Sequence, residues 1–280
     1  MDELREVLLK NGFSFKKQFG QNFLTDRNLL RAIVSDARID ENTSVVEIGA
    51  GAGALTAALA ERAKRVVAFE IDKTLRPVLE ETLAGFENAE VRFCDFAKVD
   101  LQALEEELGA YAVVANLPYY VTTPIVMRFV EESKACLSLT VMVQEEVALR
   151  FCAAAGTADY GAVTAAIARR GNCKITRKVQ RTMFTPRPNV DSAVVTVDLR
   201  QGGFAVKSAK AYRETVRCAF LSRRKTLENN LMNTFRLSRE RAKEVLLRAD
   251  IAEGVRGETL TPEQLGALSD ALYSEAIVKE

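Results

Sequence analysis

The chain has 280 residues, of which 48% are apolar and 28% charged, with a formal net charge of +1. That is enough for one large domain and a small one with buried cores, and no apolar run approaches the ~18 residues of a membrane span. Histidine and tryptophan are absent, which excludes Ser-His-Asp triads, Cys-His dyads and HExxH zinc sites and leaves aromatic stacking to Phe and Tyr.

Residues 1–30 read as an arm with a short helix. The opening MDELREVLLKNGF has early acids and no small-residue cleavage pattern, so it does not resemble a secretory signal. Ser14–Leu24 mixes aromatic, basic and amide residues without a helical or strand period. Ser44–Ile48 then predicts a buried strand that ends in a glycine loop. A helix over Leu55–Arg65, a strand over Arg65–Phe69 and a helix over Lys73–Ala84 follow, with Pro77 in the first turn or two of that helix. Glu90–Cys94 is a short strand, Leu101–Leu108 an acidic helix and Tyr111–Ala115 a fourth apolar strand. Thr122 or Thr123 caps the next helix, with Pro124 at its start, and Leu137–Val143 is a fifth strand. Short apolar strands alternating with helices predict an α/β fold: a mostly parallel, Rossmann-like sheet with helices on both faces. Lys174–Val179 and Ala193–Leu199 are expected to close the sheet as a hairpin-like pair.

Gln201-Gly202-Gly203 reads as a hinge. Beyond it the pattern is helical over Ala209–Phe220, Arg224–Thr234, Ser238–Leu247 and Pro262–Ser274, with Ser238 and Thr261 as N-caps. The expected division is therefore 1–200 for the catalytic domain with its arm and 201–280 for a small all-helical domain.

Charge is unevenly distributed. Tyr160–Val190 holds seven basic residues and no acid, and Gln201–Asp250 holds twelve basic residues against five acids. Val78–Ala110 has nine acids and two bases. Such a map suits one face that meets a polyanion and another that avoids it, and equally a set of solvated surfaces. The five cysteines form no CxxC pair. They predict neither a zinc knuckle nor a disulfide framework, but reduced thiols in a cytoplasmic protein with no metal.

The glycine loop Gly49-Ala50-Gly51-Ala52-Gly53-Ala54 follows a strand and opens a helix, where parallel sheets bind nucleotide-like ligands. Gly49-x-Gly51-x-Gly53 is the methyltransferase form, and Gly49-x-Gly51-x-x-Ala54 also satisfies the dinucleotide form. Glu70, at the second strand end, suits ribose hydroxyls, with Asp72 as a neighbouring candidate. Asp95, after the third strand, suits an adenine amino group. At the fourth strand end stands Asn116-Leu117-Pro118-Tyr119, which is similar to the Asn/Asp-Pro-Pro-aromatic motif of enzymes that methylate exocyclic amino groups. An adenine N6 lone pair is delocalised into the ring and is a poor nucleophile. The Asn116 side-chain oxygen and a backbone carbonyl near Leu117 would both accept N6–H bonds and localise that lone pair. Pro118 stiffens the turn and Tyr119 offers a stacking face. No general base is needed before attack on a sulfonium methyl, which suits a chain without histidine.

Nearly the whole chain resembles the bacterial small-subunit (16S) rRNA adenine N6,N6-dimethyltransferase family, whose loss gives kasugamycin resistance. Lys17–Leu24 is similar to the family's arm motif, and this implies that Asn22 and Leu24 line the cofactor site. Glu47 to Gly53, with Gly49 and Gly51, then Glu70, Asp95 and Asn116 match its S-adenosylmethionine motifs, and Asn116, Leu117, Pro118, Tyr119 and Tyr120 its target-base motif. Phe184–Val195 resembles a late signature, which implies that Phe184 stacks on the target base opposite Tyr119. Phe220–Leu231, with Arg223-Arg224-Lys225, resembles the signature of the helical domain. Departures are small: Phe19 stands where leucine is commoner, and Thr185-Pro186-Arg187 occupies variable positions. The resemblance implies S-adenosyl-L-methionine as cofactor and, as substrate, two adjacent adenosines in a hairpin loop near the 3′ end of 16S rRNA. The RNA would be met within the small subunit or its precursor by a monomer that contacts no membrane. Arg187, the rest of the 160–190 stretch and Arg223, Arg224 and Lys225 would then meet phosphates on one face spanning both domains. The triplet is expected to sit on a helix whose other side carries Phe220, Leu227 and Leu231.

Three other readings are weighed against this one. A large-subunit rRNA adenine methyltransferase of the macrolide-resistance type shares the core but fits the arm and the Arg-Arg-Lys-Thr-Leu signature less well. A non-catalytic RNA-binding assembly factor gives no reason for an intact Asn116, Pro118 and Tyr119. A dinucleotide oxidoreductase explains the glycine loop and Glu70 but not Asn116–Tyr120.

Overall fold

The computed structural model describes residue 7 and residues 10–13, 22–24 and 26–278. The arm segment from Ser14 to Gln21, including most of the Lys17–Leu24 motif, lies outside the described residues. The chain forms two compact units: 1–148 with 174–200, and 149–173 with 201–280.

In the first unit, β1 (Phe23–Leu24) leads into α1 (Arg27–Asp36), where Asp26 caps the Leu29 N–H at 2.8 Å. The elements that follow are β2 (Ser44–Ile48), α2 (Ala54–Ala60), β3 (Arg65–Glu70), α3 (Arg76–Thr82), β4 (Ala89–Phe93), α4 (Leu101–Leu108), β5 (Tyr111–Asn116), α5 (Thr122–Glu132) and β6 (Cys136–Gln144). After α6 (Glu145–Phe151) and α7 (Ala162–Arg170) come β7 (Asn172–Val179), β8 (Phe184–Thr185) and β9 (Ser192–Asp198). The seven-stranded sheet has the order β4-β3-β2-β5-β6-β9-β7. Its first five strands pair in parallel, and β9 runs antiparallel to β6 with Gln144 opposite Ser192. β2 is buried throughout, as is most of β5, which is why these strands read as continuous apolar runs rather than alternating ones. The chain winds outward from β2 through β3 to β4 and then returns to β2's other side as β5. That reversal opens a crevice at the C-terminal ends of β2 and β5. Pro77 does fall in the first turn of its helix, but a short 3-10 turn over Lys73–Leu75 precedes it, so α3 begins later than expected. The helix expected over Leu55–Arg65 stops at Ala60, since residues 61–64 must turn the chain back into β3. Among the described residues no helix is long and apolar enough to cross a membrane.

The second unit contains α7, α8 (Ala209–Ala219), α9 (Leu227–Phe235), α10 (Arg239–Arg248) and α11 (Pro262–Ser274). Each of the last four begins at a Ser or Thr cap, and Thr261 forms a full capping box with Gln264. Two findings differ from the sequence expectations. Residues 149–173, assigned to the catalytic domain on chain order, group with the helical unit. Tyr160 and Ala165 belong to the same core as Tyr212, Val216, Leu231, Leu265 and Leu268, and the Tyr212 hydroxyl donates to the Ala165 carbonyl at 3.0 Å. Arg223-Arg224-Lys225 does not lie on a helix. It forms the turn between α8 and α9, because Thr226 caps the Asn229 N–H and sets the helix start at Leu227. All five cysteines are free thiols.

Candidate active site

The crevice at the ends of β2 and β5 is a cavity of about 370 Å³ whose wall comes entirely from the first unit. Its lining includes Asn22, Leu24, Gly49, Gly51, Glu70, Asp95, Asn116, Leu117, Pro118 and Tyr119. Residues from four consecutive strand ends and from the end of the arm thus converge on one space.

The glycine loop turns because Gly49 and Gly51 have φ values of +80° and +57°, which side chains disfavour. A Cβ on Gly51 would also stand 3.0 Å from the Phe23 ring. The loop is fastened to β3: the Gly49 N–H donates to the Phe69 carbonyl at 2.8 Å, and the Gly51 N–H to Glu70 Oε2 at 2.8 Å. Glu70 Oε1 accepts the Asp72 N–H at 2.7 Å. Burial raises the Glu70 pKa against the pull of these N–H groups. Asp72 is absent from the cavity wall, and its carboxylate caps the turn after β3 through Thr74. Asp95 caps the next turn by accepting the Ala97 N–H at 3.0 Å. Arg128 on α5 donates to the Phe96 carbonyl at 2.7 Å and to that of Val99, which ties this turn to the helix beyond Asn116.

Asn116 ends β5. Its Nδ2 donates one hydrogen bond to the Asn22 carbonyl at 3.1 Å, which orients the amide and leaves Oδ1 as its acceptor. The turn beyond it is closed by the Val121 N–H and the Thr122 hydroxyl, which both donate to the Pro118 carbonyl. Thr122 therefore acts from inside the helix rather than as its N-cap, which is Val121. The Tyr119 hydroxyl lies 2.9 Å from Ser192 Oγ at the start of β9, and burial raises its pKa, so the ring is held neutral and oriented. Phe184 lies outside the cavity wall. It is 4% exposed, pairs with Leu24 between β8 and β1, and belongs to the main core.

One wall residue lies inside the matched cofactor motif without a role of its own assigned from the sequence. Glu47 is 1% exposed, and its Oε2 has no hydrogen-bond partner among the described residues. Desolvation, with the Glu70 charge adding to it, raises its pKa to about 8. A polar residue inside an apolar strand was the available signal.

The wall holds three carboxylates and, among its described residues, no lysine or arginine. That donor set suits a ligand with cationic and hydroxyl groups and gives no cation to a pyrophosphate. The model of the ribosomal RNA adenine dimethylase family matches residues 12–272. The chain belongs to that family. Ribosomal RNA small subunit methyltransferase A of Geobacillus thermodenitrificans is 47% identical over 277 residues, covering 96% of this chain and 94% of the relative. The protein of that name from Clostridioides difficile is 42% identical, covering 98% and 96%. Among solved structures, the 23S rRNA methyltransferase ErmE is 29% identical with a TM-score of 0.69, covering 90% of this chain and all of that one. A dimethyladenosine transferase from Plasmodium falciparum shares the fold with a TM-score of 0.79 at 22% identity, covering 91% and 98%. As a family member the chain is an S-adenosylmethionine-dependent adenine methyltransferase. The cavity fits that cofactor: Glu70 and Asp95 offer acceptors for ribose hydroxyls and an amino group, and the orphaned Glu47 oxygen offers one for a cation.

The basic residues divide. Arg177 pairs with Asp36 at 3.2 Å and Lys178 with Glu145 at 2.6 Å, both within the first unit. Arg223 donates to the carbonyls of Ala158, at 2.9 Å, and Tyr160, both within the second unit. Arg187, Arg224 and Lys225 are exposed and have no partner among the described residues.

Proposed function

We propose that the chain dimethylates N6 of two adjacent adenosines in a hairpin loop near the 3′ end of 16S rRNA, acting as a cytoplasmic monomer on the small subunit or its precursor. Small-subunit rRNA is the substrate its relatives' names give, at 42–47% identity, and adenine the base the family description gives, whereas the large-subunit enzyme ErmE stands at 29%. The cofactor supplies a methyl group already activated by its positive sulfur. Gly49 and Gly51 let the backbone approach it, Asn22 and Leu24 close over it, Glu70 holds its ribose hydroxyls, and Asp95 accepts from its adenine. Glu47 gives its cationic end a carboxylate.

The observation that carries the reading is the fixed amide of Asn116. Its Nδ2 is anchored on Asn22, so Oδ1 is oriented to accept an N6–H of the target adenine, together with a backbone carbonyl near Leu117. Two such bonds draw the amine toward tetrahedral geometry and localise its lone pair. Pro118 and the closed turn hold these acceptors still, and Tyr119, oriented by Ser192, stacks on the base that has left its helix. Phe184 belongs to the β1–β8 pair and the core behind it. Arg187, Arg224 and Lys225 meet phosphates, while Arg223 shapes the turn that presents the last two. The test is methyl transfer onto purified small subunits lacking the modification, with the products mapped by nucleotide. Dimethylation of two neighbouring adenosines is expected from wild type. Methylation elsewhere, or only of large-subunit RNA, overturns the proposal.

A further inference from the structure

Tyr120 is 64% exposed, yet it lines the same cavity as Asn116. It makes no hydrogen bond or ring contact with any described residue. A ring of this size held in water forgoes roughly 1.5–3 kcal/mol of burial, and here it stands at the mouth of the active site. Ile71, 49% exposed, lines the cavity from the end of β3. β3 and β5 flank β2 on either side, so the two exposed side chains belong to the cavity wall beyond neighbouring strand ends. The aromatic face expected from Phe184 is absent from the wall, because that ring is buried in the core. Tyr119 is already committed: its hydroxyl is tied to Ser192 and its ring is half-buried.

The geometry points to Tyr120 as the stacking platform for the nucleotide next to the target adenosine. This rests on the reading that Asn116 receives the target base. When one base leaves a loop for the cavity, its neighbour loses a stacking partner, at a cost on the order of a few kcal/mol. A free aromatic face one residue beyond Tyr119 replaces that partner. Every base has a π-face, so the contact is tolerant of base identity. It therefore serves whichever of two adjacent adenosines is waiting while the other reacts. The unpartnered hydroxyl indicates that the ring, not the phenol oxygen, is the useful part.

The experiment compares wild type with Tyr120→Ala, Tyr120→Phe and Tyr120→Trp on unmodified small subunits, measuring kcat, KM for the subunit and cofactor affinity, with products mapped by nucleotide. Tyr120→Ala should raise KM roughly five- to hundredfold, lower kcat much less and leave cofactor affinity within about twofold. Tyr120→Phe and Tyr120→Trp should restore KM, since either ring stacks. A KM for Tyr120→Ala within twofold of wild type overturns the inference. So does a Tyr120→Phe as defective as Tyr120→Ala, which would assign the role to the hydroxyl. The side chain is exposed, so none of these changes threatens the fold, and unchanged cofactor affinity checks this directly. If wild type itself fails to methylate the subunit, the functional reading falls. If wild type is active and Tyr120→Ala is normal, only the stacking role falls.

Discussion

Glu70→Ala is expected to act on stability and on cofactor binding at once. The carboxylate sits 6% exposed and accepts the N–H groups of Gly51 and Asp72 at 2.8 and 2.7 Å. Alanine leaves both donors without a partner, each at a cost of about 1–3 kcal/mol when kept from water. The loop borders a cavity that water reaches, so the lower half of that range applies, about 2–4 kcal/mol together. For a chain of this size that lowers Tm by roughly 5–15 °C. On the proposed role two charge-assisted hydrogen bonds to the ribose are also lost, which weakens cofactor binding by about a hundredfold or more. Glu70→Gln keeps one acceptor oxygen and turns an amide NH2 toward the other N–H, so it should be intermediate in stability. Scanning calorimetry of the free protein and isothermal titration with S-adenosylmethionine read the two effects separately. An unchanged Tm for Glu70→Ala would refute the account of how β3 anchors the glycine loop. Unchanged affinity with a lowered Tm would confine Glu70 to that structural role. Asp72 could not then inherit the ribose, since its carboxylate is spent on Thr74 outside the cavity wall.

Asn116→Ala should lower kcat by orders of magnitude with cofactor affinity nearly intact, whereas Asn116→Asp, which keeps an acceptor oxygen, should retain more turnover; equal activity in wild type and the alanine variant would end the assigned role. Glu47 has a folded pKa raised to about 8 from an ordinary 4.5, so the folded state holds its proton longer than the unfolded chain does. Its contribution is complete below about pH 4.5 and is lost as pH rises through about 8. Free-protein stability from denaturant titrations should therefore fall across this window by on the order of a few kcal/mol, and Glu47→Gln should flatten the profile. Arg224→Ala with Lys225→Ala should weaken subunit binding and reduce its salt slope by up to about 2, as read by binding titrations at several salt concentrations. Arg223→Ala should instead cost about 1–3 kcal/mol of stability, because it strips a donor from the Ala158 and Tyr160 carbonyls.

The sheet was legible because its central strands are buried on both faces and therefore spell continuous apolar runs. Most of the cavity wall was legible because its residues stand one after another at strand ends, where chain order maps directly onto space. The helical unit's extent was not. Residues 149–173 carry short, alanine-rich helices with weak periodicity, and their membership of that unit is decided by Tyr160 and Ala165 in a distant core, which local pattern does not encode. The place of Arg223–Lys225 was missed for a smaller reason: Thr226 competes as a cap and wins, so the helix starts two residues beyond Lys225. The partners of Arg177, Lys178 and Arg223 were equally invisible, since each is fixed by contacts far away in sequence. The 160–190 stretch with its seven basic residues is for that reason a weaker sign of RNA binding than its charge suggests, and the cations that remain free are fewer and more specific.

What the absence of histidine means becomes clear only with the cavity's electrostatics. A general base would have to be anionic or neutral at working pH and placed near the amine. Here Glu47 and Glu70 are buried in the wall, Glu70 and Asp95 accept backbone N–H groups, and the Tyr119 phenol is kept neutral by burial and tied to Ser192. With the target base at Asn116, as proposed, none of them is asked to take a proton from N6. On the proposed reading the chain instead presents fixed acceptors whose amides are anchored elsewhere, as with Asn116 on Asn22. Acceptors of this kind raise the amine's nucleophilicity without removing a proton first, and their value depends on rigidity rather than on pKa. The same logic explains why so many hydrogen bonds around the site run from the backbone or Arg128 to the turns themselves: the turn from Asn116 to Tyr119 is useful only if it does not move.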